Sequence, residues 1–343
     1  MIDFRYHLVS IVAVFLALAI GIVLGATELQ GTTLAVLRGT NNSLENKLNA
    51  VTAERDGFAQ QAGANEAFLQ TAEPKLLNGT LAGDKVVLVT EPGAPSAVTD
   101  GIQSAVGDAG ATVTGTVALQ PKFNDISGST RSSLAAINSQ FAAADNAVLA
   151  PPALQQTVYQ QDAAQLIATA ILGTAVSPPV LAVSDAQSLL AAYAKSGYLT
   201  TSGTPWDRAT LAVIVAPQAV PADGPTDPAN QVLLAVAAQF AGESAATLVA
   251  GTAASSAASA SAISVLRSSS VSGQVSSVDN ADSTLGQIST IWALADQQAG
   301  GKPNSYGVSG ASAVSPEPSP VPSVTPTDSG TPTSKATGKV KKP

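Results

Sequence analysis

The sequence contains no cysteine, one histidine (His7) and one methionine (Met1) in 343 residues. Without cysteine there is no disulfide scaffold, no iron–sulfur or cysteine-ligated zinc site and no thiol nucleophile. The lone imidazole sits at the edge of an apolar run, where it cannot serve as the base of a Ser-His-Asp triad in the rest of the chain. Charged residues make up only 12% and aromatics 4%. The net charge of −8 argues against a nucleic-acid binder, which would carry a basic face to neutralise phosphates. The absence of cysteine leaves the redox compartment open.

What is present is an apolar run near the N-terminus. Leu8 to Ala26 reads LVSIVAVFLALAIGIVLGA, nineteen residues with Ser10 as the one polar side chain. As a helix it spans roughly 28 Å, close to the hydrocarbon thickness of a bilayer. A cleavable signal peptide is the rival, with an apolar core of about 7–15 residues and small side chains before the cut. Cutting after Ala26 places Leu24 at the −3 site, and cutting after Gly25 places Val23 there. Length and poor cleavage chemistry favour a retained signal anchor over residues 8–26. Arg5 precedes the run and Glu28 follows it, which puts the stub 1–7 in the cytoplasm and the remainder outside.

A heptad register follows across 27–78. Its a and d positions are Leu34, Leu37, Asn41, Leu44, Leu48, Val51, Arg55, Phe58, Ala62, Asn65, Leu69, Ala72 and Leu76, ten of them apolar. So sustained a seam predicts a coiled-coil stalk and a parallel homodimer, with Leu34, Leu37, Asn41, Leu44, Leu48, Val51, Phe58 and Leu69 as its core. Asn41 at an a position fixes register at some cost in stability. Gly39, Gly57 and Gly63 oppose helix, each by up to about 1 kcal/mol relative to alanine. The competing reading is a single amphipathic helix folded onto its own domain. As a continuation of the membrane helix, the stalk would carry the rest of the chain roughly 60 Å from the bilayer, with Pro74 ending or kinking it.

From 79 to 308 short β-branched runs alternate with alanine-rich helical stretches. Strands are expected at 85–90, 112–119, 147–150, 180–184, 210–216, 247–251 and 275–278. Helices are expected at 95–107, 131–144, 186–195, 229–241, 254–267 and 283–298. Such alternation predicts an α/β head with a Rossmann-like, mostly parallel sheet covered on both faces. Residues 309–343 are different material, with seven prolines among serines and threonines. That composition cannot bury enough surface to offset ordering entropy, so a disordered tail is expected. Eleven basic and twenty-one acidic residues give the stretch 27–308 a net charge of −10, whereas the tail carries +2.

Catalytic signatures are sparse, and the chain reads as a non-enzyme without a cofactor. The turn after Thr90 has one glycine, not a phosphate-cradling loop. Gly307-Val-Ser-Gly-Ala lacks the second glycine of a nucleophile elbow. Glu91, at a strand end, and Asp279 with Asp282, at another, lie where α/β sheets place ligands and could together hold a hard cation. Scattered, solvated carboxylates at loop starts are the commoner reading.

The N-terminal block MIDFRYHLVSIVAVFLALAIGIVLGATELQG, residues 1–31, resembles the start of the actinobacterial MctB-like copper transport family. FRYHLVSI, just before and into the membrane segment, is its specific part. The likeness continues through the heptads into AGDKVVLVTEPGAPSAVTDGIQSAVGDAGATVTG, residues 82–115. The resemblance implies a protein of the cell envelope with a role in copper efflux or homeostasis. It also implies, as an alternative, a part in septal cell-wall assembly or control of peptidoglycan hydrolysis, with cell-wall or division proteins as partners. It supplies no ligand or catalytic motif.

Copper sites use cysteine, methionine and histidine. Here Met1 and His7 are the whole supply, both ahead of the membrane segment. One imidazole cannot close a site, so no metal ligands are assigned. The strands are short and continuously apolar, unlike the alternating strands of about ten residues in a membrane barrel. Three functions therefore stand open: copper handling, a non-enzymatic dimeric envelope scaffold, and a solute-binding head using the crevice at the sheet's C-terminal end.

Overall fold

The computed structural model describes residues 4–145, 157–173 and 181–317. It divides into two units, Met1–Ala67 and Phe68–Pro343. The first is a single run of helix, most of α1 (Phe4–Leu77). Its opening 23 residues, Phe4–Ala26, have a mean hydropathy of 2.9, and none of this surface is covered by protein. At 1.5 Å per residue they span about 35 Å, enough to cross a bilayer. The expected span 8–26 lies inside this stretch. Gly39, Gly57 and Gly63 do not interrupt the helix.

The second unit is built on a seven-stranded sheet in the order β3-β2-β1-β4-β5-β6-β7. The strands are β1 (Lys85–Thr90), β2 (Thr112–Leu119), β3 (Leu199–Gly203), β4 (Leu211–Val215), β5 (Ala246–Ala250), β6 (Ser276–Val278) and β7 (Ser305–Tyr306). All neighbouring pairs are parallel except β2 with β3. The β-branched runs KVVLVT and LAVIV are buried on both faces, as a parallel sheet between helices requires. Alternation divides them cleanly. Val86, Leu88, Leu211, Val213 and Val215 join one core. Val87, Val89, Ala212, Ile214 and Ala216 join the other.

The first core is closed by α2 (Ser96–Asp108) and α8 (Thr284–Gln298), with Leu77 and Leu81 from the end of α1 and the loop after it. The second is closed by α3 (Gly128–Asp145), α4 (Val158–Ile171), α5 (Val183–Lys195), α6 (Pro228–Glu243) and α7 (Ala262–Ser268). Each fully buried Val, Leu or Ile contributes about 1.5–3 kcal/mol by leaving water. These two clusters therefore hold the head together.

Several expectations need correction. The strand expected at 180–184 does not form over its described part, because Val183 opens α5. Asp185 favours a helix N-terminus there, and Ala186, Leu189, Leu190 and Tyr193 bury one face at helical spacing. The helix expected at 254–267 is broken into a 3-10 turn, Ala253–Ser256, and the short α7. Helix α4, the edge strand β3 and the two-residue β7 were not expected. The first part of the expected disordered tail is tied down: Ser312 N donates to Ser305 O at 3.0 Å, and Ala313 bridges Tyr306. The expected strand at 147–150 and the tail from 318 lie outside the described residues.

Candidate functional site

The strand order places a topological switch between β1 and β4. The chain leaves β1 for α2 on one face and leaves β4 for α6 on the other, so the C-terminal ends diverge and open a crevice. Glu91 is the first residue past β1 and stands at this point. Its N–H donates to Val215 O at 3.0 Å, tying the loop to the end of β4. Gly93 turns the chain with φ of +87°, and a β-carbon there would touch Pro217 at 3.7 Å, so the loops after β1 and β4 meet. Glycine suits a left-handed position where two loops pass this closely. Beneath them the Glu91 side chain is only 3% exposed, and its Oε1 has no hydrogen-bond partner. Burial alone pushes its carboxyl up to about 8, so near neutrality it is mostly protonated.

Asp279, just past β6, has a different environment. It is fully buried and pairs with Arg267 at 2.8 Å. It also accepts the backbone N–H groups of Val308 (2.7 Å) and Ser309 (3.1 Å). Arg267 donates in addition to Ser277 Oγ, Tyr306 O and Ser309 O. This network pins residues 306–309 to the sheet. Gly307 is required beside it, since a β-carbon there would collide with Asp279 Oδ1. Asp282 is exposed. Two strands, β4 and β5, separate β1 from β6, so at a strand spacing of about 4.8 Å Glu91 and Asp279 end roughly 14 Å apart. The shared carboxylate site considered from the sequence does not form. Arg267 carried no sequence signal, because nothing in its serine-rich surroundings marks it as the partner of a residue twelve positions on.

The seam residues have a simple placement. Leu37, Leu44, Leu48, Val51 and Phe58 are 58–66% exposed along α1, and Asn41 is exposed with them. Leu69 instead packs against the head's own core. Leu34 lies among residues whose side chains are not described. His7 is exposed near the start of α1. Among the described residues no three His, Cys, Asp or Glu side chains group to hold a metal. The His7→Ala chain is accordingly expected to take up no stoichiometric copper at submicromolar affinity when titrated against a competing chelator.

These features define a class: a doubly wound α/β head following a long helix whose first turns are apolar enough to cross a membrane. Residues 1–316 match the profile of the family described as "Copper transport outer membrane protein, MctB". Proteins named copper transporter MctB from Mycobacterium bovis and Mycobacterium tuberculosis are 31% identical over 324 residues, covering 92% of this chain and 99% of theirs. The protein of that name from Mycobacterium leprae is 30% identical over 323 residues. The chain belongs to the MctB copper transport family. Its relatives carry transporter names, not enzyme names.

Proposed function

We propose that this chain serves copper transport at the cell envelope as a single-pass, membrane-anchored homodimer whose head does not itself ligate copper. Family membership supports the copper role. The observation that shapes the mechanism is compositional: residues 79–308 contain no cysteine, histidine or methionine. Carboxylates and carbonyls remain, and these hard donors suit calcium or magnesium better than copper. Copper then passes through an oligomeric assembly or a partner protein. Envelope permeability is the indirect route. With the stub 1–7 in the cytoplasm, the head lies outside the membrane.

The exposed leucines of α1 support the dimer, because a long helix with an apolar seam gains stability by pairing. Two chains anchored in one membrane enter the pair from the same end, which makes it parallel. Replacing Leu44 and Leu48 together by Asp would bury two carboxylates per chain in the seam. The detergent-solubilised variant is expected to run as a monomer by light scattering while the parent runs as a dimer. A monomeric parent would refute the pairing.

The same helix suits a second reading, a non-enzymatic dimeric scaffold, for which the family resemblance implies a part in septal cell-wall assembly or control of peptidoglycan hydrolysis. Deleting the gene and scoring copper sensitivity beside sensitivity to cell-wall antibiotics separates the two. Copper sensitivity alone supports transport. Antibiotic sensitivity with unchanged copper tolerance overturns it in favour of the scaffold.

A further inference from the structure

On the α3–α6 side of the sheet, at its C-terminal end, three acceptor oxygens shut off from solvent have no donor: Glu91 Oε1, Asn124 Oδ1 and Gln160 Oε1. Their placement follows from the topology. Thr90 pairs with Ala118, so Glu91 leaves β1 level with the end of the neighbouring β2. The two-residue period that sends Val87 and Val89 into the α3–α6 core carries Glu91 to the same side. Asn124 closes the 3-10 turn Pro121–Asn124 that follows β2, and Phe123 beside it is in that core. Gln160, on α4 in the same layer, donates from Nε2 to Asp125 O at 3.1 Å. That bond fixes the amide's orientation and leaves Oε1 as an acceptor in need of a donor or a cation. Asn124 immediately precedes Asp125, so both residues belong to the same turn region after β2.

Buried acceptors are nearly always paired, and three orphans at one end and side of one sheet point to a missing electropositive group. A carboxylate and two amide carbonyls are hard oxygen donors, unsuited to copper. With Glu91 ionised, as in alkaline buffer or when a cation displaces its proton, their combined charge is −1. A divalent ion would leave net positive charge where Glu91 is 3% exposed, whereas a singly charged ion leaves none. We propose that Glu91, Asn124 and Gln160 form a binding site for an alkali-metal cation, Na⁺ or K⁺, beneath the loops that meet at Gly93 and Pro217. The site is independent of the copper reading and would bind its ion whether the family role here is transport or scaffolding.

The test uses the full chain in detergent, in alkaline buffer at constant ionic strength, with choline chloride exchanged stepwise for NaCl, KCl or CaCl₂. Unfolding is followed through the fluorescence of Trp206 and Trp292. Sodium or potassium is expected to raise the unfolding midpoint saturably, with no such rise in choline. The Glu91→Gln variant is expected to lose the response. Should that variant fail to fold, Asn124→Ala, on a half-buried turn, is expected to raise the half-saturating cation concentration roughly tenfold or more. Equal midpoints in choline, sodium and potassium overturn the site, as does an unchanged alkali response in a folded Glu91→Gln or Asn124→Ala chain. A larger response to calcium than to either alkali ion overturns the assignment to a singly charged cation.

Discussion

Replacing Asp279 by Ala is expected to destabilise the head by about 3–5 kcal/mol. The fully buried Asp279 carboxylate pairs with an Arg267 side chain that is 13% exposed. Removing the carboxylate leaves that guanidinium charge in a place where water compensates it poorly. The backbone N–H groups of Val308 and Ser309 lose their acceptor in the same step. Residues 306–313 should then detach from β6, since Arg267 holds Tyr306 O and Ser309 O only while it is itself held. Denaturant unfolding measures the loss, and hydrogen exchange should show the amides of 307–313 losing protection first. Asp279→Asn restores an acceptor without the charge and is expected to recover part of the stability. An unfolding midpoint unchanged by Asp279→Ala would show that the pair contributes nothing net.

The second large effect belongs to Glu91 and depends on pH. In the unfolded chain its carboxyl loses its proton near 4.5, whereas in the folded chain burial holds the proton until about 8. Between those values the folded state binds more protons, so stability falls as pH rises and levels off above the folded value. A displacement of this size corresponds to roughly 5 kcal/mol across the window. Glu91→Gln keeps the shape and removes the titration. With choline as the only salt cation, the variant is expected to match the parent near pH 4.5 and to exceed it by several kcal/mol in alkaline buffer. Urea unfolding of both chains across that range provides the measurement. Parallel stability curves would mean that Glu91 ionises in the folded state without penalty.

Both effects rest on residues that the sequence marks only by their position at strand ends. Nothing local to Glu91 shows that its carboxyl is shut off from water, which the packing around the end of β1 decides. Asp279 and Arg267 are twelve residues apart across a turn-rich stretch, and their partners at 306–309 lie in a segment whose composition resembles the tail. Helix α4 escaped for a related reason. Its VYQQDAAQLIATAI buries Gln160 and Asp162 beside Leu166 and Ile167, so no clean polar face marks it as amphipathic. Edge strand β3, LTTSG, is short and largely exposed, and nothing in its composition separates it from a loop. Leu69 fits the heptad by spacing, yet it packs on the head because the last turns of α1 also belong to the core.

The sequence by itself determined the local choices: an apolar N-terminal helix, a long heptad-bearing helix after it, and central strands where β-branched runs meet turn residues. Those features follow from hydrophobic length and period, which neighbours in the chain set among themselves. It also determined, by the absence of cysteine, histidine and methionine beyond Met1 and His7, that the head has no soft-metal ligands. Tertiary structure alone decided the strand order, the antiparallel edge, the separation of Glu91 from Asp279, and the capture of residues 306–313 by the Arg267–Asp279 pair. These depend on contacts between residues far apart in sequence, where burial turns an ordinary carboxylate into an unpartnered acid at one strand end and a structural anchor at another.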